Sequence, residues 1–216
     1  MNQTARRPRL RPLVDSVDAF CEHIGFSRAQ CERLYARAVE LGLPVRMHAE
    51  QLSNLGGSLL AAQYGALSSD HLEFSTEADA AALATAGTIA VLLPVAFYAL
   101  AEKQLPPIDA FRKHRTRMAV ATDCNPGSAP GASLLLAMNM ARRLFGLTSG
   151  EVLAGVTRHA ACALGLQQQA GSLQAGLQAD LAVWSIDSLD ELGYWAGFNP
   201  CSMAVKRGEI ALERAA

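Results

Sequence analysis

Strand-like and helix-like segments alternate along the first three quarters of this chain, and that alternation limits the folds open to it. Short apolar runs read as strands at Leu13 to Cys21, Leu43 to His48, Ala66 to His71, Thr88 to Leu93 and Met118 to Thr122. Between and after them, longer segments read as helices at Arg28 to Leu41, Gly57 to Tyr64, Glu77 to Thr85, Pro107 to His114 and Ser133 to Phe145. Ser27 is a predicted N-cap, as is Ser75 or Thr76, because a short hydroxyl side chain can accept from the first free amides of a helix. Gly42, Gly65 and Gly87 are the matching stops. The apolar run Ala86 to Ala101 reads as a buried strand turning into a loop, with Pro94 interrupting it. Five such units with short connections predict a parallel sheet under outer helices. The strands read as apolar on both faces, as doubly covered strands should be.

The pattern changes after Leu147. Thr148 or Ser149 caps a helix from Glu151 to Val156, and a second runs from Arg158 to Leu164, ending at Gly165. A short strand follows at Asp180 to Trp184, then a hairpin of Met203 to Lys206 and Glu209 to Leu212 across Arg207-Gly208. The expected divisions are a basic disordered tail over 1–12, a barrel-type α/β domain over 13–165 and part of a small β-domain over 166–216.

Three predicted strands end in residues that can do chemistry. LPVRMHAEQ ends its strand at His48, ALSSDHLE at His71 and MAVATDCNPG at Asp123. In strand–helix barrels the reactive groups sit at that end of the strands. Singly, each has an ordinary structural reading: a hydrogen-bonded histidine, or an acid that starts a turn. Together, at equivalent places of one repeating architecture, His, His and Asp suggest a metal-assisted hydrolase. Glu50 and Gln51 would then sit at the mouth, within reach of a substrate. His23 could line the pocket and Tyr98 could reach it, although a packed aromatic is the simpler reading for Tyr98. His114 reads as a solvated helix end and His159 as a structural helical residue.

The whole-chain properties narrow the class further. A formal charge of −1 over 216 residues gives no footprint for nucleic acid. No apolar segment is a convincing membrane span, and the basic start lacks the apolar core of a secretory signal. Five scattered cysteines without a C-x-x-C pair favour reduced thiols in the cytoplasm.

The blocks VDAFCE, HAEQLSNLGG, ALSSDHLE, GTIAVLLP, FYAL, ATDCNPG, SLLLAMNMA and AGVTRHAACALGL resemble those of the imidazolonepropionase family of metal-dependent amidohydrolases. ADLAVWSID resembles the return of such chains to a small β-domain. The likeness runs from about Val17 to Arg207. It implies an α/β fold, an incomplete (β/α)8 TIM-type barrel of about strands four to eight with part of the small β-domain. It implies that His48 and Asp123 bind one zinc or iron ion, that His71 orients and polarises the substrate carbonyl, and that Asp123 also accepts a proton from the attacking water. Gln51 would contact the imidazolone ring, and Asn125, Gly127 and Ser128 would shape its pocket. The family often has Thr at the place of Ser128 and usually Asp at the place of Glu50.

One departure matters. The family's first barrel strand ends in His-x-His, which supplies two further metal ligands, and no such motif occurs here. The chain therefore looks like a C-terminal half, expected to bind metal weakly and to hydrolyse negligibly by itself. The implied reaction is opening of the ring of 4-imidazolone-5-propanoate to N-formimidoyl-L-glutamate. The implied partners are that substrate and, for a complete enzyme, a second copy in a homodimer or an N-terminal half supplied by another chain. The alternatives are a non-catalytic remnant or split subunit, and another cyclic-amide hydrolase or deaminase.

Overall fold

The computed structural model describes residues 13–214, so the basic tail expected over 1–12 lies outside the described residues. Five strands form one sheet: β1 (Val17–Cys21), β2 (Val45–Ala49), β3 (Ser68–His71), β4 (Ile89–Leu92) and β5 (Met118–Val120). They lie side by side in chain order, all parallel. The intervening helices are α1 (Arg28–Glu40), α2 (Gly57–Gln63), α3 (Glu77–Ala86), α4 (Pro94–Ala99) and α5 (Ile108–His114). After β5 come α6 (Leu134–Phe145), α7 (Ser149–Val156) and α8 (Arg158–Ala163). The last part folds into an antiparallel sheet of β6 (Leu181–Trp184), β7 (Cys201–Lys206) and β8 (Glu209–Glu213), with a 3₁₀ turn at Leu189–Gly193 before β7. This is a five-stranded part of a (β/α)8-type barrel beside a small β element.

Local chemistry sets most helix boundaries. Ser27 caps α1 in a reciprocal box with Gln30, Thr76 caps α3 with Asp79, and Thr148 caps α7 with Glu151. At the other ends Gly42, Gly87 and Gly146 take left-handed backbone, which costs a residue without Cβ nothing. Pro94 does not interrupt the chain into a loop. It occupies the first turn of α4, where the missing N–H would have had no partner anyway.

The expectation of strands apolar on both faces fails for β1, β2 and β3. In β2, Val45, Met47 and Ala49 are buried beneath helices, while Arg46 and His48 between them are only half-buried. Residues opposite one another in a parallel register share a face. Asp18 pairs with Arg46 and Phe20 with His48, which pairs in turn with Asp70. One face of this part of the sheet is therefore charged. On the other face sits an apolar core, centred on Tyr35, Met47 and Leu60 near β1 and β2 and on Phe111, Leu83 and Leu92 further along. Only β4 and β5 are buried throughout.

Gly57 lets α2 press onto this sheet. A Cβ there would come 2.7 Å from Ala49 Cβ and 3.1 Å from Cys21 Cβ. Neither atom is the end of a flexible side chain, so only glycine allows the approach.

Candidate active site

His48, His71 and Asp123 come from the C-terminal ends of β2, β3 and β5, on one edge of the sheet. The backbone there is unusual. Glu50, His71, Leu72 and Asp123 all have φ between 53° and 79°, a region that residues with a Cβ seldom enter. Four such residues just at or past three strand ends mark the edge as a place where local strain is tolerated, which is characteristic of functional sites.

His48 Nδ1 lies 2.8 Å from Asp18 Oδ2 and 3.9 Å from Asp70 Oδ2. Burial by itself would lower the imidazole's pKa. The carboxylate of Asp18, followed by those of Asp70 and Asp123, outweighs burial and raises it to about 9. The His71 ring lies 5.2 Å from the His48 ring, centroid to centroid. His71 is buried, and with burial first and the neighbouring His48 second, its pKa falls to about 3. It is a neutral imidazole at pH 7, and its Nδ1 has no hydrogen-bond partner among the described residues. Partial burial pushes the Asp123 carboxyl up, while the charge of His48 pulls it down. His48 is thus a ring neighbour of His71, and its charge reaches the Asp123 carboxyl.

The loop after Asp123 is built by Asn125. Its Oδ1 accepts from the amides of Gly127 (2.9 Å) and Ser128 (2.8 Å), and its Nδ2 donates to the Asp123 carbonyl (2.7 Å) and to Ser128 Oγ (3.0 Å). This is the side-chain-closed turn that Asn favours. It fixes Asn125, Gly127 and Ser128 directly behind Asp123. Gln51 is buried immediately after Glu50.

Glu50 does not reach toward a substrate. It is fully buried, and its carboxylate turns away to accept from the amides of Gly57 and Ser58, each at 2.8 Å, and from Ser58 Oγ. It satisfies the orphan donors at the start of α2. Glu50→Ala should leave two buried N–H groups without an acceptor and cost about 3 kcal/mol; urea unfolding of the 216-residue chain measures it. Glu22 does similar work for the loop after β2, accepting from the amides of Leu52 (2.9 Å) and Ser53 (3.2 Å) and from Ser53 Oγ (2.6 Å). His23 is exposed and lies 3.3 Å from Ser53 Oγ. Tyr98 is 65 % exposed on α4 rather than packed. His114 pairs with Glu77 (3.1 Å), and His159 Nδ1 bonds the Met118 carbonyl (2.9 Å).

Sequence reasoning missed Asp18 and Asp70 as partners of His48. The two-residue period of VDAFC places Asp18 on one face with Phe20, but the pairing of that face with His48 follows only from the strand register.

The donors fit a metal ion in kind but not in number. His48 presents an imidazole whose other nitrogen side is held by a carboxylate, the usual support of a metal-bound histidine. Asp123 adds a carboxylate. Among the described residues, no group of three or more His, Cys, Asp or Glu side chains is arranged to hold a metal ion.

Parallel strands in chain order under outer helices, with His48, His71 and Asp123 near their C-terminal ends, define a part of a (β/α)8-type barrel. A sequence model of the amidohydrolase family matches residues 7–191, and the chain belongs to that family. It is 59 % identical over 198 residues to an imidazolonepropionase of Roseobacter denitrificans, covering 92 % of this chain and 50 % of that protein. It is 59 % identical over 196 residues to an imidazolonepropionase of Pseudomonas putida, covering 91 % of this chain and 49 % of that protein. The chain spans about half the length of the curated relatives it matches. Among solved structures, an adenosine deaminase from Xanthomonas campestris with bound zinc superposes with a TM-score of 0.70 at 23 % identity, over 88 % of this chain and 50 % of that one. An atrazine chlorohydrolase from Arthrobacter aurescens in complex with zinc superposes with a TM-score of 0.68 at 18 % identity, over 84 % of this chain and 47 % of that one. At such identities these likenesses concern the fold.

Proposed function

We propose that this chain supplies the C-terminal half of an imidazolonepropionase active site. The reaction is hydrolysis of 4-imidazolone-5-propanoate: water adds to the ring carbonyl, the ring carbon–nitrogen bond breaks, and N-formimidoyl-L-glutamate leaves. The observation that carries this reading is the 59 % identity to imidazolonepropionases over nine-tenths of the chain. The strand-end placement of His48, His71 and Asp123 supports it.

In this reading each residue has a role suited to its surroundings. Asp123 accepts a proton from the attacking water; its partly buried carboxyl is a stronger base than a free one. His71, neutral at pH 7, directs a ring N–H to the substrate carbonyl without adding a charge to the pocket. Gln51 contacts the ring, while Asn125, Gly127 and Ser128 shape the pocket behind Asp123. His48 and Asp123 are the residues that would hold a zinc or iron ion. Such an ion supplies Lewis acidity and lowers the pKa of water. The remaining donors come from residues outside this sequence, as a homodimer of complete chains or an N-terminal half would provide, and the enzyme works in the cytoplasm.

The test compares the 216-residue chain alone with the same chain mixed with the N-terminal half of the Roseobacter denitrificans relative. Metal content and turnover of imidazolone propionate are measured in both. Alone, the chain should hold well under one metal per molecule and turn over nothing detectable. The mixture should hold about one metal per complex and hydrolyse the substrate. Full metal occupancy with turnover by the isolated chain would overturn the incomplete-site reading. A metal-loaded complex that ignores this substrate but opens another cyclic amide would overturn the substrate assignment.

A further inference from the structure

A second charged site lies at the opposite end of the strands. A cavity of about 360 Å³ opens between the end of α5, the start of β5, and helices α7 and α8. Arg112, Arg115, Arg117, Met118, Glu151 and His159 line it. Met118 begins β5, whereas Asp123 lies beyond that strand's far end, so this cavity is separate from the site above.

The sequence run from Arg112 to Arg117 carries four full positive charges. Two of the four are matched locally by carboxylates. Arg112 Nε and Nη2 bond both oxygens of Glu151, at 2.8 and 2.9 Å, and its Nη1 reaches Asp109 at 3.2 Å. Lys113 and His114 both pair with Glu77, on the far side of α5. Arg117 is different: among the described residues its guanidinium meets only neutral acceptors, the Gly87 carbonyl (2.8 Å) and Cys162 Sγ (3.4 Å). Among the described residues, Arg115 makes no ion pair. Glu151, the one acid lining the cavity, is already engaged by Arg112.

Two arginines without a carboxylate partner among the described residues therefore line one cavity. His159 stands beside them, with Nδ1 committed to the Met118 carbonyl. Burial first, and further down the positive charges of Arg158 and Arg117, hold this imidazole below its usual pKa, while its bond to the Met118 carbonyl pulls the other way. Guanidinium groups present paired N–H donors that match the oxygens of phosphate and carboxylate.

We propose that this cavity is a binding site for a small multivalent oxyanion, held by Arg115 and Arg117 with His159 at its wall. Inorganic phosphate and succinate, titrated separately into the 216-residue chain at low ionic strength, distinguish a phosphate from a dicarboxylate ligand. At least one should bind saturably, and Arg115→Gln should weaken it tenfold or more. Lys113→Gln, which removes a charge on the far side of α5, should leave the affinity within twofold. In the unmutated chain, the His159 ring resonances should shift along the same saturation curve. That measurement stands even where Arg115→Gln fails to fold. A response to both anions no larger than that to chloride at matched ionic strength would overturn the site. So would an affinity unchanged by Arg115→Gln in a folded variant.

Discussion

Asp123→Asn, made in the complex of this chain with an imidazolonepropionase N-terminal half, should lower kcat by roughly 10³-fold. Asparagine keeps the volume of the side chain and also tolerates left-handed backbone, so the φ of 54° at this position remains accessible. The turn behind it is closed by Asn125 onto the residue 123 carbonyl, a backbone group that the substitution leaves in place. The thermal midpoint should therefore move by no more than about a degree. What is lost is a carboxylate that can take a proton. His71→Ala should also slow turnover, while a neutral hydrogen-bond donor at that position, as in His71→Asn, should recover part of the rate. A complex carrying Asp123→Asn that retains kcat within tenfold of the original would remove Asp123 from the proposed chemistry.

The stability of the 216-residue chain should fall as pH rises from about 5 to 8, and Glu73→Gln should remove most of that fall. Glu73 is buried immediately after the left-handed pair His71 and Leu72, and its Oε2 has no hydrogen-bond partner among the described residues. Burial, with smaller repulsions from Glu102 and Glu22, pushes its carboxyl up to about 8 from an ordinary 4.5. In the unfolded chain the proton leaves above pH 4.5; in the folded chain it stays until about 8. Across that window the unfolded state binds fewer protons, so the contribution of Glu73 to stability declines with pH, by a few kcal/mol in total, and levels off above 8. His48 acts in the same direction from pH 6.5 to 9, because its folded-state pKa is also raised. The difference between the original chain and Glu73→Gln isolates the carboxyl. Urea midpoints at pH 5 and pH 8 measure it. Equal losses of stability in both proteins would show that Glu73 is ionised in the fold at neutral pH.

Much of the architecture was legible because it is written locally. Ser27 with Gln30, and Thr76 with Asp79, announce helix starts within four residues. Gly42 and Gly87 announce stops. The hairpin was legible as two strand-like runs across Arg207-Gly208, and both turn residues take positive φ. Pro94 shows where local reading divides: the same residue ends a strand and starts a helix, and only packing of Val95 and Phe97 into the core decides for the helix. The site was legible as positions, not as interactions. His48, His71 and Asp123 could be placed at strand ends. Glu50, adjacent to Gln51 and as polar, could not be recognised as the buried cap of α2, because its acceptors' partners lie in the next helix.

The sequence by itself determined the order of the strands and of the helices other than α4, many of their ends, and which reactive side chains stand near the strand termini. Capping, turn chemistry and apolar periodicity act between residues a few positions apart, so they can be read from neighbours in the chain. The tertiary structure alone decided which face of β1 and β2 is charged, that Asp18 and Asp70 flank His48, that Glu50 turns inward, and that His71 is neutral while Glu73 keeps its proton. Those outcomes depend on strand register, on burial and on charges brought within a few ångströms by folding, and no local rule links the residues involved.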